Sequence, residues 1–141
     1  MSRQFAFRLS SLLLLLSFIV AAPHARADAT SEIQSVISDQ LNAFKADDAP
    51  RAYGHAADII KELFPSQSVF MEMVRVGYPP VYRAKEWSFS EPTPLDNGYS
   101  QIVRLTDEQG RMWNALYTLE RDSAGTWKIT SCQILKSDGV V

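Results

Sequence analysis

Cysteine is nearly absent from this chain. Cys132 stands alone, so no intrachain disulfide can form and stability must come from the core. It lies near Ile134 and Leu135 with Lys136 as the one nearby cation, so it reads as a small buried residue rather than a reactive thiol. Histidine is scarce as well, with His24 and His55, and one histidine far from one thiol makes no metal-ligand set. Phosphate-cradling glycine loops, nucleophile elbows and two-histidine motifs are missing, so no cofactor and no metal is indicated. No repeat or low-complexity tract divides the chain, and no linker is long enough to do so.

A membrane-spanning run is lacking too. The apolar core from Leu12 to Ala22 has 11 residues, well short of the roughly 20 needed to span, and Pro23 follows at once. With Arg3 and Arg8 before it and Ala25-Arg26-Ala27 after it, this is the anatomy of a secretory signal peptide over residues 1–27. Cleavage is expected after Ala27, with Ala22 as the alternative. No cysteine follows the site and no Arg-Arg pair precedes the core, which points to the general secretory route and a periplasmic or secreted product without a membrane anchor. Removing 27 of the 141 residues leaves 114, one ordinary domain over 28–141. The leader holds three of the 14 basic residues and no acid, so 11 basic face 16 acidic groups, a net charge of −5. Nucleic-acid binders carry a basic stripe, and none is visible.

What the chain has is a C-terminal half built of alternation. Asn97-Gly98, Asp107 to Gly110 and Asp122 to Gly125 sit between alternating runs, which predicts a four-stranded antiparallel meander from about Lys85 to Leu135. One register gathers Trp87, Phe89, Val103, Leu105, Trp113, Ala115, Tyr117, Leu119, Trp127 and Ile129 on a single face. Cys132 and Ile134 fall one residue out of that phase, so a bulge is expected near Thr130-Ser131. On the opposite face Ile102, Met112 and Leu116 are more apolar than a fully solvated surface needs. That suggests a homodimer through the back of the sheet, against scattered surface apolars as the alternative.

Upstream, Ser31 and Gln34 make a capping box, and Ile33, Val36, Ile37, Leu41 and Phe44 recur at helical spacing, predicting a helix over 31–46. Burying those five side chains contributes roughly 7–15 kcal/mol at ~1.5–3 each. A short helix is expected after Pro50, a second capped by Asp58, and a third opened by Ser66 or Ser68 and ended by Gly77. Tyr78-Pro79-Pro80 is expected to be extended.

Two groups of residues suggest chemistry. His55 has Asp58 three residues on, and a histidine oriented by a carboxylate is a general-base arrangement; a partly exposed histidine beside Gly54 is the simpler reading. Arg75, Tyr78, Tyr82, Arg83, Lys85 and Trp87 surround a Pro-Pro corner, and arginine with aromatics suits a small anionic or aromatic ligand. The competing reading makes the aromatics core and pairs Arg83 and Lys85 with Glu86 and Glu72.

Helices followed by a curved meander ending in Trp127-Lys128-Ile129 resemble the nuclear-transport-factor-two-like superfamily, the cone-shaped α+β fold that includes ketosteroid isomerase and polyketide-cyclase-like proteins. More closely, residues 31–135 resemble the bacterial family known as domain of unknown function 4864. The resemblance is carried by Gln40-Leu41-x-Ala43-Phe44-x-Ala46-Asp47-Asp48, Met73-Val74-Arg75-x-Gly77-Tyr78-Pro79 and Tyr117-Thr118-Leu119-Glu120 with the closing Trp127-Lys128-Ile129. The resemblance implies an α+β fold with N-terminal helices packed on a curved four-stranded antiparallel sheet, a platform that hosts enzymes, ligand carriers and interaction domains. An isomerase-type site would need a carboxylate base inside an apolar cone. Tyr99, Gln101 and Tyr117 are on the inward register, but Glu86 and Glu120 fall on the outward one and Glu91 lies at a strand end. The reading is therefore a non-enzymatic small-ligand-binding or protein-interaction module, with candidate ligand residues His55, Tyr82, Arg83, Trp87, Gln101 and Tyr117 and no catalytic residue assigned. The alternative is a small-molecule enzyme, isomerase- or cyclase-like, acting in the cone pocket.

Overall fold

The computed structural model describes residues 22–135; residues 1–21, on which most of the signal-peptide expectation rests, lie outside them. The first helix, α1 (Ala22–Lys45), buries Ala29, Ile33, Ile37, Leu41 and Phe44 along one stripe. It begins nine residues before the expected start, and Ser31 lies mid-helix instead of capping it. The alanine-rich stretch before Ser31 has the helix propensity to carry on, and Thr30 Oγ1 donates back to the Arg26 carbonyl at 3.0 Å. The helix closes in a Schellman turn. Asp48 N–H reaches the Ala43 carbonyl and Asp47 N–H the Phe44 carbonyl, with Asp47 in the left-handed conformation at φ 53°.

Asp48 then caps α2 (Ala49–Gly54) through Arg51 N–H, with Pro50 in the first turn. In α3 (Asp58–Leu63) the cap position is Ala57 and gives no side-chain bond; Asp58 sits in the first turn and is not the cap. Ser66 caps α4 (Gln67–Gly77), which buries Phe70 and Val74. The Pro-Pro corner is not extended: Pro79–Tyr82 is a helical turn, α5, since two prolines suit the first turn of a helix.

Five strands form one antiparallel sheet: β1 (Glu86–Phe89), β2 (Thr93–Leu95), β3 (Gly98–Thr106), β4 (Met112–Arg121) and β5 (Trp127–Leu135), in the order β1-β3-β4-β5. The expected count of four is corrected because the outer edge of β3 is covered by two short pieces. Between β1 and β2 lies Ser90-Glu91-Pro92, with Pro92 buried. Pro94 in β2 suits an edge, where its missing N–H costs no ladder bond. The first hairpin turns at Asp96-Asn97, one residue earlier than expected. Gly98 already pairs in β3, where a Cβ would stand 2.0 Å from the Leu119 carbonyl oxygen.

The inward register is as the alternation indicates. Val103, Leu105, Ala115, Tyr117, Leu119, Trp127 and Ile129 are buried under the helices, while Trp87, Phe89 and Trp113 are half-buried at the margins. Each tryptophan keeps its indole N–H bonded, to Ser38, Asp107 and Glu32 respectively for Trp87, Trp113 and Trp127. The bulge is also where the phase change puts it. Thr118 pairs with Ser131 and Leu119 with Ile129, leaving Thr130 as the extra residue. Beyond β5 the segment around Ala56 adds a parallel bridge to Ile129.

Candidate functional site

The bulge at Thr130 determines the site. It turns Cys132 and Ile134 to the helix side and places Cys132 directly opposite Tyr117 across β4 and β5. The displaced hydroxyls satisfy one another: Thr118 Oγ1 lies 2.7 Å from Thr130 Oγ1 and 2.6 Å from Ser131 Oγ. Between this part of the sheet and the helices lies a cavity of about 370 Å³. Gln40 and Phe44 of α1 and Phe70, Met73 and Val74 of α4 form its inner walls. Ile60, Leu63 and Phe64, in and just after α3, form an outer wall, and Tyr78 and Val81 another side.

The aromatic wall is braced. Phe70 packs against Phe44 and Tyr53 with ring centroids 6.0 and 5.3 Å apart. Tyr53 in turn donates its hydroxyl to the Phe64 carbonyl at 2.6 Å, tying α2 to the end of α3. By contrast α3 buries none of its residues and leaves Ile59 and Leu63 exposed, Leu63 on the cavity's outer wall.

Tyr117 is the chemical centre of this space. The residue is 1 % exposed, and among the described residues its Oη is the one buried side-chain polar atom without a hydrogen-bond partner. Burial pushes its phenol well above the ordinary value, and the Cys132 thiol beside it adds to the shift. The Cys132 thiol is itself pushed up to about 12 by apolar surroundings. Tyr117 is thus a neutral O–H donor and Cys132 a neutral thiol, too weakly ionised to act as a nucleophile.

The other residues singled out from sequence are dispersed. His55 is partnered by Asp39 and not by Asp58: its Nε2 lies 2.5 Å from Asp39 Oδ2, and Arg51 grips the same carboxylate. Those two partners hold Asp39 down to about 2. Tyr82 and Arg83 remain together, both donating to Asp47, and Arg83 also donates to the Phe44 carbonyl. Trp87 lies against Ser38 and Lys45. Gln101 is fully enclosed, donating to the carbonyls of Ser90 and Ile102 and accepting from Gln34. Tyr117 alone of the six lines the cavity.

A second concavity, about 680 Å³, collects Arg75, Arg83 and Arg111 around Pro79 and Pro80. Each arginine is already engaged, by Glu72, Asp47 and Asp107, so among the described residues lining this concavity no cation is free. Among the described residues no group of three histidine, cysteine or acidic side chains is placed to hold a metal ion, and no helix is long and apolar enough to cross a membrane.

Sequence reasoning missed Cys132 as the cross-strand neighbour of Tyr117, although the phase change in β5 was the signal that it faces inward. It missed Asp39 because 16 residues of chain separate it from His55. No curated protein and no solved structure matches the chain. Residues 26–140 match the model of DUF4864, a domain of unknown function, and the chain belongs to that family.

Proposed function

We propose that this protein is a binding module that takes a small molecule into the cavity between β4, β5 and the α3–α4 layer. One observation carries the reading: an apolar space of ligand size has a buried, unpartnered hydroxyl in its wall. A buried donor without an acceptor costs about 1–3 kcal/mol, which a ligand oxygen would recover. Among the described residues neither a carboxylate nor a histidine lines the space, which favours binding over isomerase- or cyclase-like catalysis. Helices laid on one face of the sheet, with the cavity between the layers, support placement in the cone-shaped nuclear-transport-factor-two-like class.

The test is binding of an uncharged, polarity-sensitive fluorophore, N-phenyl-1-naphthylamine. Saturable emission gain is expected, weakened at least tenfold by Met73→Trp, which fills the cavity from a half-buried wall position. Equal binding by a correctly folded Met73→Trp variant would sink the proposal.

Two further parts of the reading concern the whole chain. Residues 1–27 act as a signal peptide directing export by the general secretory route. A second copy covers the back of the sheet, where Ile102 and Met112 are 41 % and 65 % exposed.

A further inference from the structure

Building on the cavity reading above, we infer that the ligand is an uncharged, mostly apolar molecule presenting one hydrogen-bond-accepting oxygen, such as a ketone, to Tyr117 Oη. The charge follows from the walls. The chain has 30 charged side chains among 141 residues, yet none of the described residues lining this cavity carries one. A carboxylate, phosphate or ammonium would enter a desolvated space with no counter-charge, which strongly disfavours it.

The single acceptor follows from the polar groups. Gln40 Nε2 already donates to the Ala52 carbonyl, and Thr118, Thr130 and Ser131 bond among themselves. Tyr78 and Gln133 also line the space but are not buried, which leaves Tyr117 Oη as the buried donor, with only the weakly accepting Cys132 thiol beside it. A phenol held neutral donates well to a carbonyl or ether oxygen, whereas the thiol of Cys132 is a weak acceptor. The volume, about 370 Å³, sits near the lower end of the ~300–1,000 Å³ range of ligand sites, which suits a medium-chain or small cyclic ketone.

The experiment measures displacement of the fluorophore by three probes of matched length, 2-octanone, octane and octanoate, at pH 7. The ketone is expected to compete at least tenfold more strongly than octanoate. Tyr117→Phe is expected to weaken the ketone five- to tenfold and leave octane unchanged. That variant removes a donor without a partner, so it should fold and melt no lower than the parent. Octanoate competing as well as the ketone, or a ketone affinity untouched in Tyr117→Phe, overturns the inference while the cavity reading stands. If the fluorophore itself does not bind, or binds equally to Met73→Trp, both fall together.

Discussion

Asp107 shows how one side chain can organise a turn. Its Oδ1 accepts from the backbone N–H of Gln109 and Arg111, its Oδ2 from Trp113 Nε1 and Arg111 Nε, and Gly110 takes the positive φ the turn requires. Asp122 repeats the pattern with Ala124, Thr126 and Gly125. Desolvation pulls the Asp107 carboxyl upward, but Trp113 and Arg111 outweigh it and hold it down to about 2. A carboxylate whose folded pKa is depressed adds stability above its ordinary value of ~3.9. That contribution is lost as pH falls from about 4 toward 2. Asp107→Asn should therefore be less stable than the parent at pH 7 and converge on it near pH 2, as read by urea unfolding at pH 7, 4 and 2.5. A gap that stays constant with pH would show that the charge plays no part. Asp39, depressed by Arg51 and His55, supplies a second acid-sensitive term that Asp107→Asn leaves in place.

Among the elements, β5 carries the site, through the extra residue at Thr130. A one-residue change of register moves every following side chain to the other face. Deleting Thr130 should therefore straighten β5 yet leave Cys132 and Ile134 facing inward, because Cys132 then stands two places after Ile129, in plain alternation. Thr130→Ala, which keeps the bulge and loses a hydroxyl bond, should cost about 1 kcal/mol. Native thiol titration checks both: Cys132 should resist Ellman's reagent in the parent, in Thr130→Ala and in the deletion alike. A readily reacting thiol in a folded deletion variant would contradict this role for the bulge. This element was legible in the sequence because strand alternation is local, and a phase slip between Ile129 and Cys132 has few physical causes. Other elements were less legible. Pro79-Pro80 reads as extended until it is seen to begin a helical turn, and Ser31 reads as a cap although the alanines before it sustain the helix. The pairing of β2 beside β1 and the reach of Asp39 to His55 depend on tertiary packing that no local pattern records. The cavity belongs to the same group. Tyr117 was on the inward face by parity, but that its hydroxyl lacks a partner depends on how α1 and α4 seat against the sheet.

At the scale of the whole molecule, the two faces of the sheet pose different problems. The helices dry one face. The other, across Ser100 to Thr106, Met112 to Thr118 and Ser131 to Leu135, presents a single charge at its outward positions, Arg104. Protein interfaces are depleted of charge at their centres, and the Ile102–Leu116–Gln133 row has that character. A self-pairing of this patch about a two-fold axis would place like on like without opposing carboxylates. A stable dimer would need to bury about 1,200–2,000 Å² in total. Native mass spectrometry of the protein recovered from the exported fraction of its host addresses this face and the leader together. The expected species is a dimer of chains that begin at Asp28. Ile102→Lys combined with Leu116→Lys should convert it to monomer with melting little changed, because both side chains point away from the core. A monomeric parent would remove the interface, and a chain retaining residues 1–27 would remove the signal peptide. Either result would leave the cavity reading standing, since Tyr117 and the apolar walls from α1, α3 and α4 lie on the helix side of the sheet.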